Sequence, residues 1–120
     1  MADIVKQVIV VNMAVPMPIG RLMAQAAHAS VLNILNRGTW NENNFTISTK
    51  DFALKWWMEE QFTKVVCKAW GKEQMLKLKE KAESLGIYVS VMEEDTFITA
   101  MALGPAIIKD LEFTKTLPLM

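Results

Sequence analysis

An α/β fold, with a four-stranded mixed sheet sandwiched by helices, is predicted by three features of this 120-residue chain. The β-branched block Lys6–Val11 leads through a turn punctuated by Pro16, Pro18 and Gly20 into a helical pattern, so a strand feeds a helix. Strand-like and helix-like segments then alternate, the signature of parallel pairs made through helical crossovers. The short link at 93–96 joins two apolar runs and suits an antiparallel hairpin, which makes the sheet mixed.

The first strand is expected over 5–13, too continuously apolar for a half-exposed position and readable as covered on both faces. The first helix follows over about 20–36, ended by Arg37-Gly38. Leu22, Ala26 and Ala29 form its sheet-facing side, and Arg21, Gln25 and His28 share a polar face at spacings i, i+4 and i+7. Residues 38–49 are rich in asparagine without a clean period and read as a loop, either a binding element or a tolerated insertion. Ser48 or Thr49 is expected to cap a helix from Lys50 to Gln61 that carries Phe52, Trp56 and Trp57. Thr63–Ala69 is the next strand. Met75, Leu78, Ala82 and Leu85 mark a helix over 72–85 with Gly86 as its stop. Ile87–Val91 alternates with period two, and Phe97–Leu103 supplies a last apolar strand before a short helix.

Composition narrows the possible functions. Hydrophobic residues make up 52% of the chain, enough to build the core of a single domain spanning 1–120. An apolar run of about 18 residues and a secretory leader are both missing from the sequence, so a cytoplasmic protein without a membrane partner is expected. Cys67 is the only cysteine and His28 the only histidine, which excludes an intrachain disulfide and argues against a zinc site; no metal or cofactor is expected. Cys67 lies in an apolar strand and reads as a buried thiol. Nine methionines suit an adaptable core. Thirteen basic residues balance thirteen acidic ones. Lys64, Lys68, Lys72, Lys77, Lys79 and Lys81 cluster in one segment, but Glu73, Glu80 and Glu83 interleave with them, so a solvated helix face competes with a nucleic-acid patch.

Particular motifs carry a resemblance. Lys6-Gln7-Val8-Ile9-Val10-Val11, then Met17-Pro18-Ile19-Gly20-Arg21 and Ala24-Gln25-Ala26-Ala27-His28-Ala29-Ser30, resembles the opening of the archaeal and eukaryotic, type 2, peptidyl-tRNA hydrolase family. Trp57 followed by Thr63–Lys68, and Thr99-Ala100-Met101-Ala102-Leu103-Gly104-Pro105, resemble later family strands in the same order. The resemblance implies a four-stranded α/β sandwich, often homodimeric, that hydrolyses the peptidyl ester at a tRNA 3′ end. Two departures stand out. Where the family carries an Asp-x-Gly-x-Thr loop implicated in catalysis, this chain has only Met92-Glu93-Glu94-Asp95-Thr96-Phe97, and Arg21 stands where lysine is usual. Arginine keeps the charge but is a planar fork that favours clamping an anion over transferring a proton.

The residues themselves offer limited chemistry. A helix opening near Gly20 presents free backbone N–H groups beside Arg21. His28, the sole histidine, could accept a proton from water or from a ribose hydroxyl if it faces a pocket, or could equally be structural. The carboxylates of Glu93, Glu94 and Asp95 could supply an acid or base. The expected catalytic set is His28, Asp95 and Arg21, and the expected ligand-binding set is Gly20, Arg21, Gln25, Lys64, Thr96 and Thr99. Two classes of function follow. One is ester hydrolysis on peptidyl-tRNA. The other is a phage-type anti-defence protein that sequesters or cleaves a small nucleotide immune signal, a cyclic dinucleotide or ADP-ribose derivative. A duller third is an interaction module built on tryptophans and methionines.

Overall fold

A computed structural model describes residues 4–120. Its four-stranded sheet has the order β4-β1-β6-β5, built from β1 (Val5–Asn12), β4 (Lys64–Ala69), β5 (Val89–Glu94) and β6 (Phe97–Ile107). β1 runs parallel to β4 and antiparallel to β6, and β6 pairs antiparallel with β5, so the sheet is mixed. The two central strands carry the longest buried runs, as expected for strands covered on both faces.

Helix α1 (Ile19–Leu35) covers one face, where Leu22, Ala26 and Ala29 pack on Ile9, Val11, Ala100 and Ala102. Helix α3 (Lys72–Ser84) covers the other, placing Met75 and Ala82 on Val8, Val10, Met101 and Leu103. Cys67 is buried in this second layer, and burial pushes its thiol pKa up. The underside of α1 is not wholly apolar. Ser30 donates to Gln7 Oε1 at 2.5 Å, Ser90 to the Ala29 carbonyl at 2.7 Å, and Asn33 Nδ2 to the Ala102 carbonyl at 3.0 Å. Each of these buried groups thus regains a partner for the water it leaves, which makes the helix position specific as well as stable.

Residues 38–47 correct the loop expected there. They form a two-stranded hairpin, β2 (Gly38–Asn41) and β3 (Asn44–Ile47), closed by a two-residue turn with Glu42 at φ 53°. Trp40 and Phe45 face each other across the ladder with ring centroids 5.0 Å apart. The Phe45 ring also covers Gly38, where a methyl group would run into it. Such a hairpin hides little surface, so cross-strand ring contact rather than core burial defines it.

The helix expected over 50–61 also differs. Asp51, not Ser48 or Thr49, caps it, accepting the Ala53 N–H at 3.0 Å. Helix α2 spans only Phe52–Trp56, and a π-helical turn continues over Trp57–Gln61. That wider turn seats Trp57 in the core at 2% exposure, its indole N–H donating to the Thr63 carbonyl at 2.7 Å. β5 begins at Val89, two residues after the expected start, and β6 runs on to Ile107. A 3-10 helix (Ile108–Thr114) ends the fold before residues 118–120 bond along the outer edge of β4.

Candidate functional site

The carboxyl end of β1 is where polar side chains converge. Asn12, 3% exposed, joins three segments there: its Nδ2 donates to the Ile98 carbonyl at 2.9 Å, and its Oδ1 accepts the N–H groups of Ala14 at 3.0 Å and Gly71 at 2.9 Å. Both lone pairs of the amide oxygen are therefore used, and the loop entering α1 is tied to the start of β6. No motif singled out Asn12, because its partners lie 86 and 59 residues away in sequence.

A cleft of about 200 Å³ opens beside this knot, between Val15, Pro16 and Met17 of the loop, Arg21 on the first turn of α1, and Glu94, Asp95, Phe97 and Thr99 around the β5–β6 turn. The turn is tight: Glu94 pairs with Phe97, leaving Asp95 and Thr96 as its two residues. Asp95 takes φ 57°, a left-handed geometry that aspartate tolerates better than most residues. The carboxylate is thereby carried at the tip of a two-residue hairpin turn. Glu94 makes an ion pair with Arg21 across the cleft, with side chains 34% and 53% exposed respectively. A guanidinium has five donors, so the pair leaves Arg21 able to meet a further oxygen.

Thr99 forms the buried floor. The β5–β6 register slips between Met92 and Glu93, and Thr99 is the extra residue of that bulge. Its hydroxyl oxygen lies 2.5 Å from Gln25 Oε1 and 3.1 Å from the Met92 carbonyl oxygen. One hydroxyl hydrogen serves only one of these acceptors at a time, so Thr99 couples the helix to the bulge.

The expected site residues therefore separate. Arg21, Asp95 and Thr99 border one cleft, and Gln25 lies behind it, 6% exposed and bonded to Thr99. By helical geometry Gln25 is rotated about 40° from Arg21 toward the sheet, which is enough to take it under cover. His28 is rotated the other way and is exposed on α1, outside the cleft lining. Gly20 is exposed on the first turn of α1, and Thr96 is exposed in the hairpin turn; neither lines the cleft. Lys64 is elsewhere, in an apolar groove of about 740 Å³ between α1, β1, β4 and the last two residues. Its ammonium lies 3.3 Å from the Phe62 ring centroid and bonds the Phe62 carbonyl, and partial desolvation lowers its pKa. Glu94 is the partner that sequence reasoning did not single out from its neighbours.

Among the described residues, no group of three or more His, Cys, Asp or Glu side chains is placed to hold a metal, and no helix is long and apolar enough to cross a membrane. Fold and cleft together define a small α/β sandwich that sets one guanidinium against two carboxylates at the carboxyl end of a parallel strand pair. Residues 5–120 match the family described as Peptidyl-tRNA hydrolase PTH2, and the chain belongs to that family. A peptidyl-tRNA hydrolase of Saccharolobus islandicus is 30% identical over 114 residues, covering 85% of this chain and 87% of the relative. Another, from Halobacterium salinarum, is 32% identical over 108 residues, with 84% and 86% covered.

Proposed function

We propose that this chain hydrolyses the ester joining a peptide to the 3′-terminal ribose of tRNA, using the cleft between α1 and the β5–β6 turn. The observation that carries the reading is the Arg21–Glu94 pair with Asp95 beside it in one opening. Asp95 acts as general base: it takes a proton from water as the water oxygen attacks the ester carbonyl carbon. Arg21 faces the oxygen on which negative charge develops, and Glu94 fixes the guanidinium plane. Collapse breaks the carbon–oxygen bond to the ribose, and the proton held by Asp95 passes to the departing ribose oxygen. The peptide leaves as a carboxylic acid and the tRNA regains its hydroxyl.

The charge balance supports this chemistry over storage of a small nucleotide signal. Glu94 already offsets Arg21, and Asp95 adds a further negative charge, so a free phosphate entering the cleft meets carboxylates on two sides. A cytoplasmic site of action goes with the substrate. The test is release of N-acetylated amino acid from N-acetylaminoacyl-tRNA, with a thermal-shift screen of cyclic dinucleotides and ADP-ribose derivatives alongside. Turnover that is lost in Asp95→Ala supports the assignment. Stabilisation by a cyclic dinucleotide without turnover of the tRNA ester contradicts it.

The protein is also proposed to act as a homodimer. Ile19, Met23, Ala27, Val31 and Leu35 recur every four residues along α1 and are exposed, a ridge suited to packing on a copy of itself. Met23→Glu is expected to shift sedimentation from dimer to monomer; a sedimentation coefficient unchanged by the substitution counts against this surface.

A further inference from the structure

We infer that Trp70, with Lys68 and Lys72, forms a platform that stacks a nucleobase of the single-stranded CCA end of tRNA beside the cleft. The inference rests on the hydrolase reading and assigns to it a substrate-binding surface outside the reacting centre. Trp70 follows β4, an edge strand separated from the β5–β6 turn by β1 and β6, but it lies at the same end of the sheet as the cleft, the carboxyl end of β1. The Met13 N–H donates to the Ala69 carbonyl at 2.8 Å, and the Ala14 and Gly71 N–H groups converge on the one oxygen of Asn12. Trp70 is therefore strapped next to the loop that forms one wall of the cleft.

Its surroundings set it apart from the other tryptophans. Trp40 faces Phe45, Trp56 stacks on Phe52 and Trp57 packs against Phe62. Trp70 is 52% exposed and has no ring partner among the described residues. Its backbone is held, since the N–H donates to Gln74 Oε1 at 2.7 Å, so an aromatic face is presented on a fixed stem. An exposed indole is sequence-tolerant as a stacking surface because every base has a π face.

Charge points the same way. Farther along α3, Lys77 pairs with Glu73 and Lys79 with Glu83, whereas Lys81 has no ion pair among the described residues. Lys68 and Lys72, two residues to either side of Trp70, form no ion pair among the described residues. Lys68 lies beside Val11 in the parallel ladder and so shares the α1 face of the sheet, while Lys72 opens α3 and is exposed. Two unneutralised ammonium groups around a bare indole match the combination of backbone charge and base stacking that single strands require. The cleft holds the acidic groups, and the platform beside it holds the basic ones.

The probe is the 5′-phosphorylated trinucleotide pCpCpA, titrated by calorimetry so that the readout does not depend on the indole being replaced, with inorganic tripolyphosphate as a charge-only control. Trp70→Ala is expected to weaken trinucleotide binding about ten- to hundredfold and Trp70→Phe to retain most of it. Lys72→Ala is expected to flatten the dependence of log affinity on log salt by about 0.7. Trp70→Leu, which keeps apolar bulk but no π face, replaces the alanine variant if that variant fails to fold. In hydrolysis of N-acetylaminoacyl-tRNA, loss of the platform is expected to raise KM rather than lower kcat. Trinucleotide binding unchanged by Trp70→Ala or Trp70→Leu overturns the inference, as does tripolyphosphate binding as tightly as the trinucleotide. Wild-type protein that binds pCpCpA through Trp70 but leaves the tRNA ester intact overturns the hydrolase reading alone.

Discussion

Arg21 and Arg37 stand at opposite ends of α1, and their surroundings differ in almost every respect. Arg21 is half exposed, meets one carboxylate, and borders an open cleft. The Arg37 side chain is only 9% exposed: it donates through Nε and Nη2 to Asn33 Oδ1, pairs with Asp51 at 3.4 Å and lies 4.6 Å from the centre of the Tyr88 ring. Burial lowers the Arg37 pKa, and Asp51 and Tyr88 oppose that shift. The same side chain is thus a fastening at one end of the helix and an available group at the other. Partner number and solvent access decide which role an ionised residue plays, not its chemistry.

The contrast is broken most severely if removing Arg21 costs stability rather than activity. Arg21→Ala is expected to lower hydrolysis of N-acetylaminoacyl-tRNA about a hundredfold or more, the scale of losing one donor to a developing oxyanion, while the thermal midpoint stays close to that of the wild type. Arg37→Ala is expected to do the reverse. It leaves buried Asn33 Oδ1 without its guanidinium donors and removes the ion pair to Asp51, which keeps its bond from the Ala53 N–H and its solvent contact, costing about 2 kcal/mol. Urea unfolding measures that loss, and activity per folded molecule is expected to be preserved.

Cys67 sharpens the buried side of the comparison with the smallest effect. Its folded-state pKa lies above the unfolded value because burial disfavours the thiolate. The unfolded chain therefore ionises first, so this contribution is complete below the unfolded thiol pKa of about 8.5 and declines as pH rises through the folded value. Cys67→Val is expected to lose less stability than the wild type between neutral and strongly alkaline pH, read as the difference in urea midpoints.

Much of this architecture was legible from local patterns. The β-branched block of β1, the helical spacing of Met75 and Ala82, and Gly86 after α3 each name an element through chemistry contained within a few residues. The hairpin at 38–47 was not legible in that way. Its strands are four residues long and mostly exposed, and what holds them is a ring of Phe45 over Gly38 rather than an alternating buried face. The π-helical turn at Trp57 likewise answers to a tertiary demand, the seating of one indole in the core.

The site shows the same division. Arg21 and Asp95 were recognisable as candidates because each sits at a turn or helix start, yet nothing local links Arg21 to Glu94 across the fold. Helical spacing put Arg21, Gln25 and His28 on one face, but that face straddles the boundary between sheet and solvent, so the three side chains have three environments. The bulge that brings Thr99 to Gln25 depends on strand register, and periodicity does not encode register.

The central claim is that Asp95 activates water at the Arg21 cleft. Single-turnover hydrolysis of N-acetylaminoacyl-tRNA by Asp95→Asn tests it most directly, because asparagine also tolerates the left-handed backbone at this turn and removes only the basic oxygen. A chemical step slowed about a hundredfold or more, with tRNA binding and thermal midpoint unchanged, is the predicted result. A single-turnover rate equal to that of the wild type would contradict the account.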